Sequence, residues 1–190
     1  TFTLLLEQIK SHGIQLVGRT DNSLIDALEQ SIANARAEAP AITAWENRWA
    51  FQNLMAQHAD MVSERTKSSF AQAQAMTHDD YQALLLRRSQ AQAAHVAAAP
   101  LAAAAITLSC PGPATHWSGD KPGEPLAARP TGDAVFNTGS SMLFAPCVSM
   151  PLMSVDGMPL GAQVMGLPGQ DAHITAIARW LIENLNPVVG

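Results

Sequence analysis

Basic residues are few in this chain of 190 residues: eleven lysines and arginines stand against sixteen aspartates and glutamates, for a net charge of −5 and a pI near 5.6. No run of lysine or arginine occurs, and Arg87-Arg88 is an isolated pair that reads as a solvated helix face. Nucleic acid and anionic membrane are therefore excluded as partners. The two cysteines, Cys110 and Cys147, lack CxxC spacing and sit in apolar contexts, so buried free thiols in a cytoplasmic protein are expected. The six histidines show no HxxxH spacing. His78-Asp79-Asp80 reads as a helix N-terminus, where negative charge is favourable, and no metal or other cofactor is expected. Long hydrophobic runs are also missing. The alanine-rich stretch Ala91 to Ile106 contains His95, is interrupted by Pro100 and falls short of the roughly 20 apolar residues a bilayer requires.

What is present is an ordinary globular composition. With 47% hydrophobic and 14% charged residues the chain is not disordered, and its length suits one substantial core. Residues 4–12 read as the end of a helix followed by Gly13 at a position of positive φ, then a short strand at 14–17. Ser23 with Asp26 approximates a capping box, and Leu24, Leu28, Ile32 and Ala35 recur at helical spacing. Residues 41–75 read as helical and amphipathic, with Trp45 and Trp49 one turn apart and Leu54, Met55 and Met61 continuing the apolar surface. Thr77 and Asp80 cap a further helix whose buried face is Tyr81, Leu84 and Leu85. Alternation of helix and strand predicts an α/β protein.

The second half is punctuated differently. Ile106 to Cys110 reads as a buried strand stopped by Pro111-Gly112-Pro113. Residues 111–134 hold five of the twelve prolines and four of the twelve glycines and read as a loop. Residues 147–153 and 158–165 are two apolar strands joined through Asp156-Gly157, a strong hairpin signal, although Pro151 and Pro159 each remove one donor. Asp171 is expected to cap a last helix carrying the stripe Ile174, Ile177, Ala178, Leu181, Ile182 and Leu185.

One order of residues in this half is distinctive: Thr131-Gly132, Phe136-Asn137, Ala145-Pro146-Cys147-Val148-Ser149-Met150-Pro151, the run Gly157 to Gly166, and Asp171. Together with Asp80-Tyr81 and Leu108 to Ala114, it resembles the C-terminal part of the amidase signature family. The resemblance covers residues 77–186, and before them only the order of elements. It implies a mixed β-sheet covered by helices, with residues 1–105 mostly helical cover and 106–190 carrying strands, a cleft loop and the final helix of a single domain. It implies a structural role for Gln163. The family's lysine, cis-peptide serine and nucleophilic serine, the serines lying in a glycine- and serine-rich run, have no counterpart here. Since the chain also opens at Thr1 inside a helix, it is expected to be the back part of a longer enzyme.

Candidate chemistry follows from the side chains. Gly139-Ser140-Ser141 invites a nucleophile reading, but Lys10, Lys67 and Lys121 occupy no useful spacing for activating a hydroxyl, and a polar turn shaping the cleft is expected instead. Cys147 with His116 or His173 would make a thiol hydrolase, but an apolar strand raises a thiol pKa, and a structural thiol is expected. Asn137 is expected to fix the neighbouring loop. Trp117, Phe136, Asn137, Ser140 and Phe144 are the candidate substrate-facing residues, and no catalytic residue is expected in the chain. The resemblance implies hydrolysis of a small-molecule amide through a serine acyl-enzyme whose nucleophile lies in the N-terminal half, this chain being inactive without it. The alternative is a non-catalytic binding or interaction module on the same scaffold, associating through an exposed sheet edge.

Overall fold

The computed structural model describes residues 1–121 and 132–190; Thr131 lies outside the described residues. Six helices come first: α1 (Phe2–Ser11), α2 (Ser23–Ser31), α3 (Ala35–Glu46), α4 (Arg48–His58), α5 (Glu64–Ala75) and α6 (His78–Ala98). There follow β1 (Ala105–Leu108), α7 (Val135–Leu143), β2 (Cys147–Val155), β3 (Met158–Met165), α8 (Asp171–Asn184) and β4 (Val188–Val189). The sheet order is β1-β3-β2-β4, antiparallel except for the parallel pairing of β4 with β2. This is the mixed sheet with helical cover expected of an α/β chain.

The hairpin is built as its turn residues dictate. Asp156 and Gly157 both adopt positive φ, 50° and 74°, matching the twist of the flanking strands. Pro151 falls where the β2–β3 register shifts between Met150 and Met153, so its missing N–H coincides with a break in the ladder. Pro159 lies beyond the stretch of β3 that pairs with β1, which runs from Ala162 to Met165.

Alternation along the strands divides the sheet into two faces. Leu160, Ala162 and Val164 of β3 and Met150 of β2 point to one side, where they pack with Leu5 and Ile9 of α1 and with Ile174, Ala178 and Leu181 of α8. Each such large side chain, fully buried, contributes roughly 1.5–3 kcal/mol. Gly166 permits the close approach of α8, since a Cβ there would lie 2.5 Å from Ile174 Cγ1 and 2.6 Å from its Cδ1. On the other face Gln163, 4% exposed, donates through Nε2 to Thr107 Oγ1 at 3.0 Å and to the Phe136 carbonyl at 3.2 Å. That pair of bonds ties α7 to the sheet. Nearby, Ser109 and Ser149 share a 2.5 Å hydroxyl contact over Gly161, whose own Cβ would come within 2.8 Å of both oxygens.

A second core joins the helices. Ala35, Ala41 and Ile42 of α3 pack with Leu84 of α6 and Met142 of α7, with Tyr81 and Leu85 at the border. Buried Glu38 is paired with Arg87 at 2.6 Å. The side chains of Arg65 on α5 and Asp120 form a two-pronged pair, 2.6 and 2.8 Å, that fastens the segment after β1 to the helices.

Several local expectations are corrected. Residues 14–17 form no strand; the segment is irregular, with Leu16 resting against the first core. The cap of α2 is Asn22, whose side chain accepts from the Leu24 N–H, while Asp26 is drawn to Arg19. Asp171 begins α8 but does not cap it by side chain; Gln170 occupies the cap and accepts the Leu167 N–H. The helical pattern of 41–75 breaks into three at Asn47 and at 59–63. Trp45 stacks on Tyr81, ring centres 5.4 Å apart, not on Trp49, and Trp49, Leu54 and Met61 are exposed. Ile182 of the last stripe also faces outward. The Thr77–Asp80 capping box forms as expected.

Two measurements follow. Gly166→Ala forces Ile174 out of the core and is expected to lower stability by about 1–3 kcal/mol, read as a drop in the urea midpoint. His95 is buried on α6 with no hydrogen-bond partner for Nδ1 among the described residues, and burial holds its pKa below the ordinary value. The unfolded chain therefore takes up a proton near pH 6.5 that the fold refuses, so stability is full above that pH and falls as pH drops toward the depressed folded value. Urea midpoints at pH 7.5 and 5.5 are expected to differ less in His95→Leu than in the parent chain.

Candidate functional site

Helix α7 has to end abruptly for the chain to re-enter the sheet at Cys147. Phe144 makes the turn in the left-handed region, φ 51° and ψ 32°, which a bulky aromatic enters only when its surroundings impose it. Its N–H reaches the Ser141 carbonyl at 3.3 Å and the Ala145 N–H reaches the Ser140 carbonyl at 3.1 Å, so the last turn of the helix is satisfied. The ring itself is 58% exposed, with the guanidinium carbon of Arg88 at 4.9 Å from its centre.

This turn, the start of β2 and the start of α8 surround an open cavity of about 540 Å³. Phe144, Pro146 and Pro168 supply its apolar surface, and Ser140, Cys147 and Asp171 its polar groups. Both Ser140 and Ser141 donate their hydroxyls to the Asn137 carbonyl at 2.9 Å. Partial desolvation of its sulfur pushes the Cys147 thiol pKa up, and the Ser140 hydroxyl beside it pulls part of the way back. The thiol donates to the Ala145 carbonyl at 3.5 Å. Among the described residues neither histidine nor lysine lines the cavity, and its one titratable group besides the thiol is the Asp171 carboxylate. The same residues hold no group of three or more side chains suited to a metal ion and no helix long and apolar enough to cross a membrane.

Of the five residues singled out from the sequence, Ser140 and Phe144 line this cavity. Phe136 and Asn137 lie on α7 one or two turns earlier, Phe136 half-buried and Asn137 exposed, and contribute their carbonyls to the bonds just described. Asn137 is thus in a helix and not in the expected turn, and Ser140-Ser141 are helical too. Trp117 is half exposed on the segment after β1 and does not line the cavity. Cys147 is an exposed residue whose sulfur is only partly desolvated, and Cys110 is half-buried, where buried thiols were expected. Sequence reading passed over Asp171 and Pro168 as lining groups; the Pro168-Gly169 pair ahead of the last helix is the signal that a turn brings them to the cavity.

No protein-family model matches the chain, and no curated protein matches it by sequence. Solved structures do match its fold. An amidase crystal structure superposes with a TM-score of 0.68 at 18% identity, covering 95% of this chain and 44% of the amidase. A structure described as an unexpected vestigial protein complex that reveals the evolutionary origins of an s-triazine catabolic enzyme gives 0.68 at 16% identity, over 90% and 41% of the two chains. A bacterial aryl acylamidase of the amidase signature enzymes gives 0.54 at 14%, over 83% and 34%. The chain therefore has the fold of the C-terminal part of amidase signature enzymes. It spans less than half the length of each of these structures.

The state of Cys147 is directly measurable. In a Cys110→Ser background, alkylation by iodoacetamide at pH 7 is expected to be slower than that of an unperturbed cysteine peptide, with the rate still rising above pH 9, because the thiolate is the reactive form and burial delays its appearance.

Proposed function

We propose that this chain forms the C-terminal cleft wall and part of the sheet of an amide-hydrolysing enzyme whose nucleophile and base lie on a segment outside these 190 residues. The reaction would be acyl transfer from the amide to a serine oxygen with departure of ammonia or an amine, followed by hydrolysis of the acyl-enzyme. The observation that carries the reading is the match of 95% of the chain to 44% of an amidase, together with a cavity that among the described residues holds neither histidine nor lysine to activate its hydroxyls and thiol. Nothing in the lining selects a serine of this chain as nucleophile, since Ser140 and Ser141 both commit their protons to the Asn137 carbonyl.

The alternative of an interaction module on the same scaffold has its own support. Strand β1 stands at the end of the sheet with β3 as its only strand neighbour among the described residues, and Trp49 and Met61 are 66% and 81% exposed. An open edge and exposed apolar groups favour association, either with the rest of an enzyme or with a second copy. A thiol hydrolase centred on Cys147 is disfavoured by its raised pKa and the lack of a histidine in the cavity.

The purified 190-residue chain is expected to release no ammonia or amine from a panel of small aliphatic and aromatic amides above the uncatalysed rate. Turnover that disappears in Ser140→Ala, Ser141→Ala or Cys147→Ala would place the nucleophile in this chain and overturn the proposal.

A further inference from the structure

The cavity between α7 and α8 has a chemistry of its own. Every side-chain proton donor in its lining is committed within the protein. The hydroxyls of Ser140 and Ser141 point at the Asn137 carbonyl, and the Cys147 thiol points at the Ala145 carbonyl. Were Ser140 to turn toward the Cys147 sulfur beside it, its single proton would still be spent internally. What the two hydroxyls leave free toward the cavity is oxygen lone pairs, which accept. Asp171, the only charged residue of the lining among the described residues, adds a carboxylate that belongs to no ion pair shown by the structure. Its position in the first turn of α8 lets its charge offset the positive end of that helix, which removes the usual attraction for an anion.

The apolar part of the lining is an aromatic ring and two prolines. Phe144 leaves α7 through a left-handed backbone with its ring largely exposed and the Arg88 guanidinium carbon 4.9 Å from the ring centre, while Pro146 and Pro168 offer surfaces without rotamer freedom. A ligand that satisfies both parts has hydrogen-bond donors and positive charge at one end and a flat apolar body at the other. An ammonium has three donors and no acceptor, which matches a lining of acceptors, and an aromatic ring gains offset or edge contacts with Phe144.

We infer that this cavity binds the amine side of its ligand, an ammonium or N–H-rich nitrogen facing Asp171, Ser140 and Ser141, with an aromatic body against Phe144, Pro146 and Pro168. The inference rests on the cleft-wall reading and deepens it, because it assigns this wall to the leaving amine and not to the acyl group of an amide.

The test is a titration of the full chain at pH 7 with 2-phenylethylammonium and, separately, with phenylacetate, followed by amide nitrogen–proton correlation spectra. With the ammonium, saturable shifts are expected at Phe144, Cys147, Gly169 and Asp171. Asp171→Asn is expected to weaken that binding about tenfold through loss of the charge-assisted contact, and phenylacetate is expected to bind at least about tenfold more weakly than the ammonium. Phe144→Gly removes the ring while favouring the left-handed backbone, so the fold is retained and binding is expected to fall by about tenfold as well. Absence of saturable shifts, shifts confined to other residues, equal binding of phenylacetate, or indifference to either substitution would each overturn the inference. The readout is binding. Hydrolysis by the purified chain, which would overturn the cleft-wall reading, is scored in a different assay, and a failed titration leaves that reading standing.

Discussion

Gln163 sits almost wholly out of water in the middle of the sheet, and its amide nitrogen bridges Thr107 on β1 to the Phe136 carbonyl on α7. A buried amide left without partners costs about 1–3 kcal/mol, so the position of α7 against β3 is constrained by more than packing. Much of the molecule follows from that constraint. With α7 held there, Met142 reaches Ile42 and Leu84 and joins the helical core, while the opposite face of the same strand buries Val164, Ala162 and Leu160 against α1 and α8. The Gln163 contact with α7 thus links two cores that have no buried residue in common.

The cavity is a consequence of the same arrangement. Helix α7 has only nine residues between its start at Val135 and its end at Leu143, and the chain must then turn sharply to reach the register that pairs Cys147 with Met165. The left-handed backbone at Phe144 accomplishes the turn and leaves the ring outside. Gly166 lets α8 lie close to β3, which carries Asp171 toward the opposite side of the opening. Hydroxyls, a thiol and a carboxylate converge there with the hydroxyl and thiol protons directed at backbone carbonyls, an arrangement that suits binding and orientation better than bond breaking.

Legibility from the sequence tracked the range of the interactions involved. Thr77 with Asp80 and Asp156-Gly157 were readable because a side chain three residues away, or a backbone needing positive φ twice in succession, settles the outcome locally. The periodic stripe of α8 was readable too, apart from Ile182, which lies at its margin. The segment 14–17 has a strand's composition but no strand beside it to pair with, and pairing is a tertiary event. Asn22 took the cap that Ser23 was expected to supply, since Asn and Ser are nearly equivalent caps and neighbouring structure decides between them. Gly139-Ser140-Ser141 read as a polar turn, yet Met142 and Leu143 beside them are buried deeply enough to stabilise a helix there. Of the substrate-facing candidates, Ser140 and Phe144 reached the cavity; Asp171 and Pro168, more than twenty residues further on, were legible as a helix start and a turn but not as its lining.

By itself the sequence determined the class of fold, the hairpin, the last helix and the resemblance to the C-terminal part of amidases, because periodicity, turn chemistry and a fixed order of residues are local or linear properties. Only the tertiary structure decided that β4 closes the sheet in parallel to β2, that α7 is a helix, that Trp45 stacks on Tyr81, and that Phe144, Cys147 and Asp171 meet around one opening. Each of these depends on groups far apart in the chain being brought within a few ångströms, and the free energy that holds them there comes from burial that no single segment achieves in isolation.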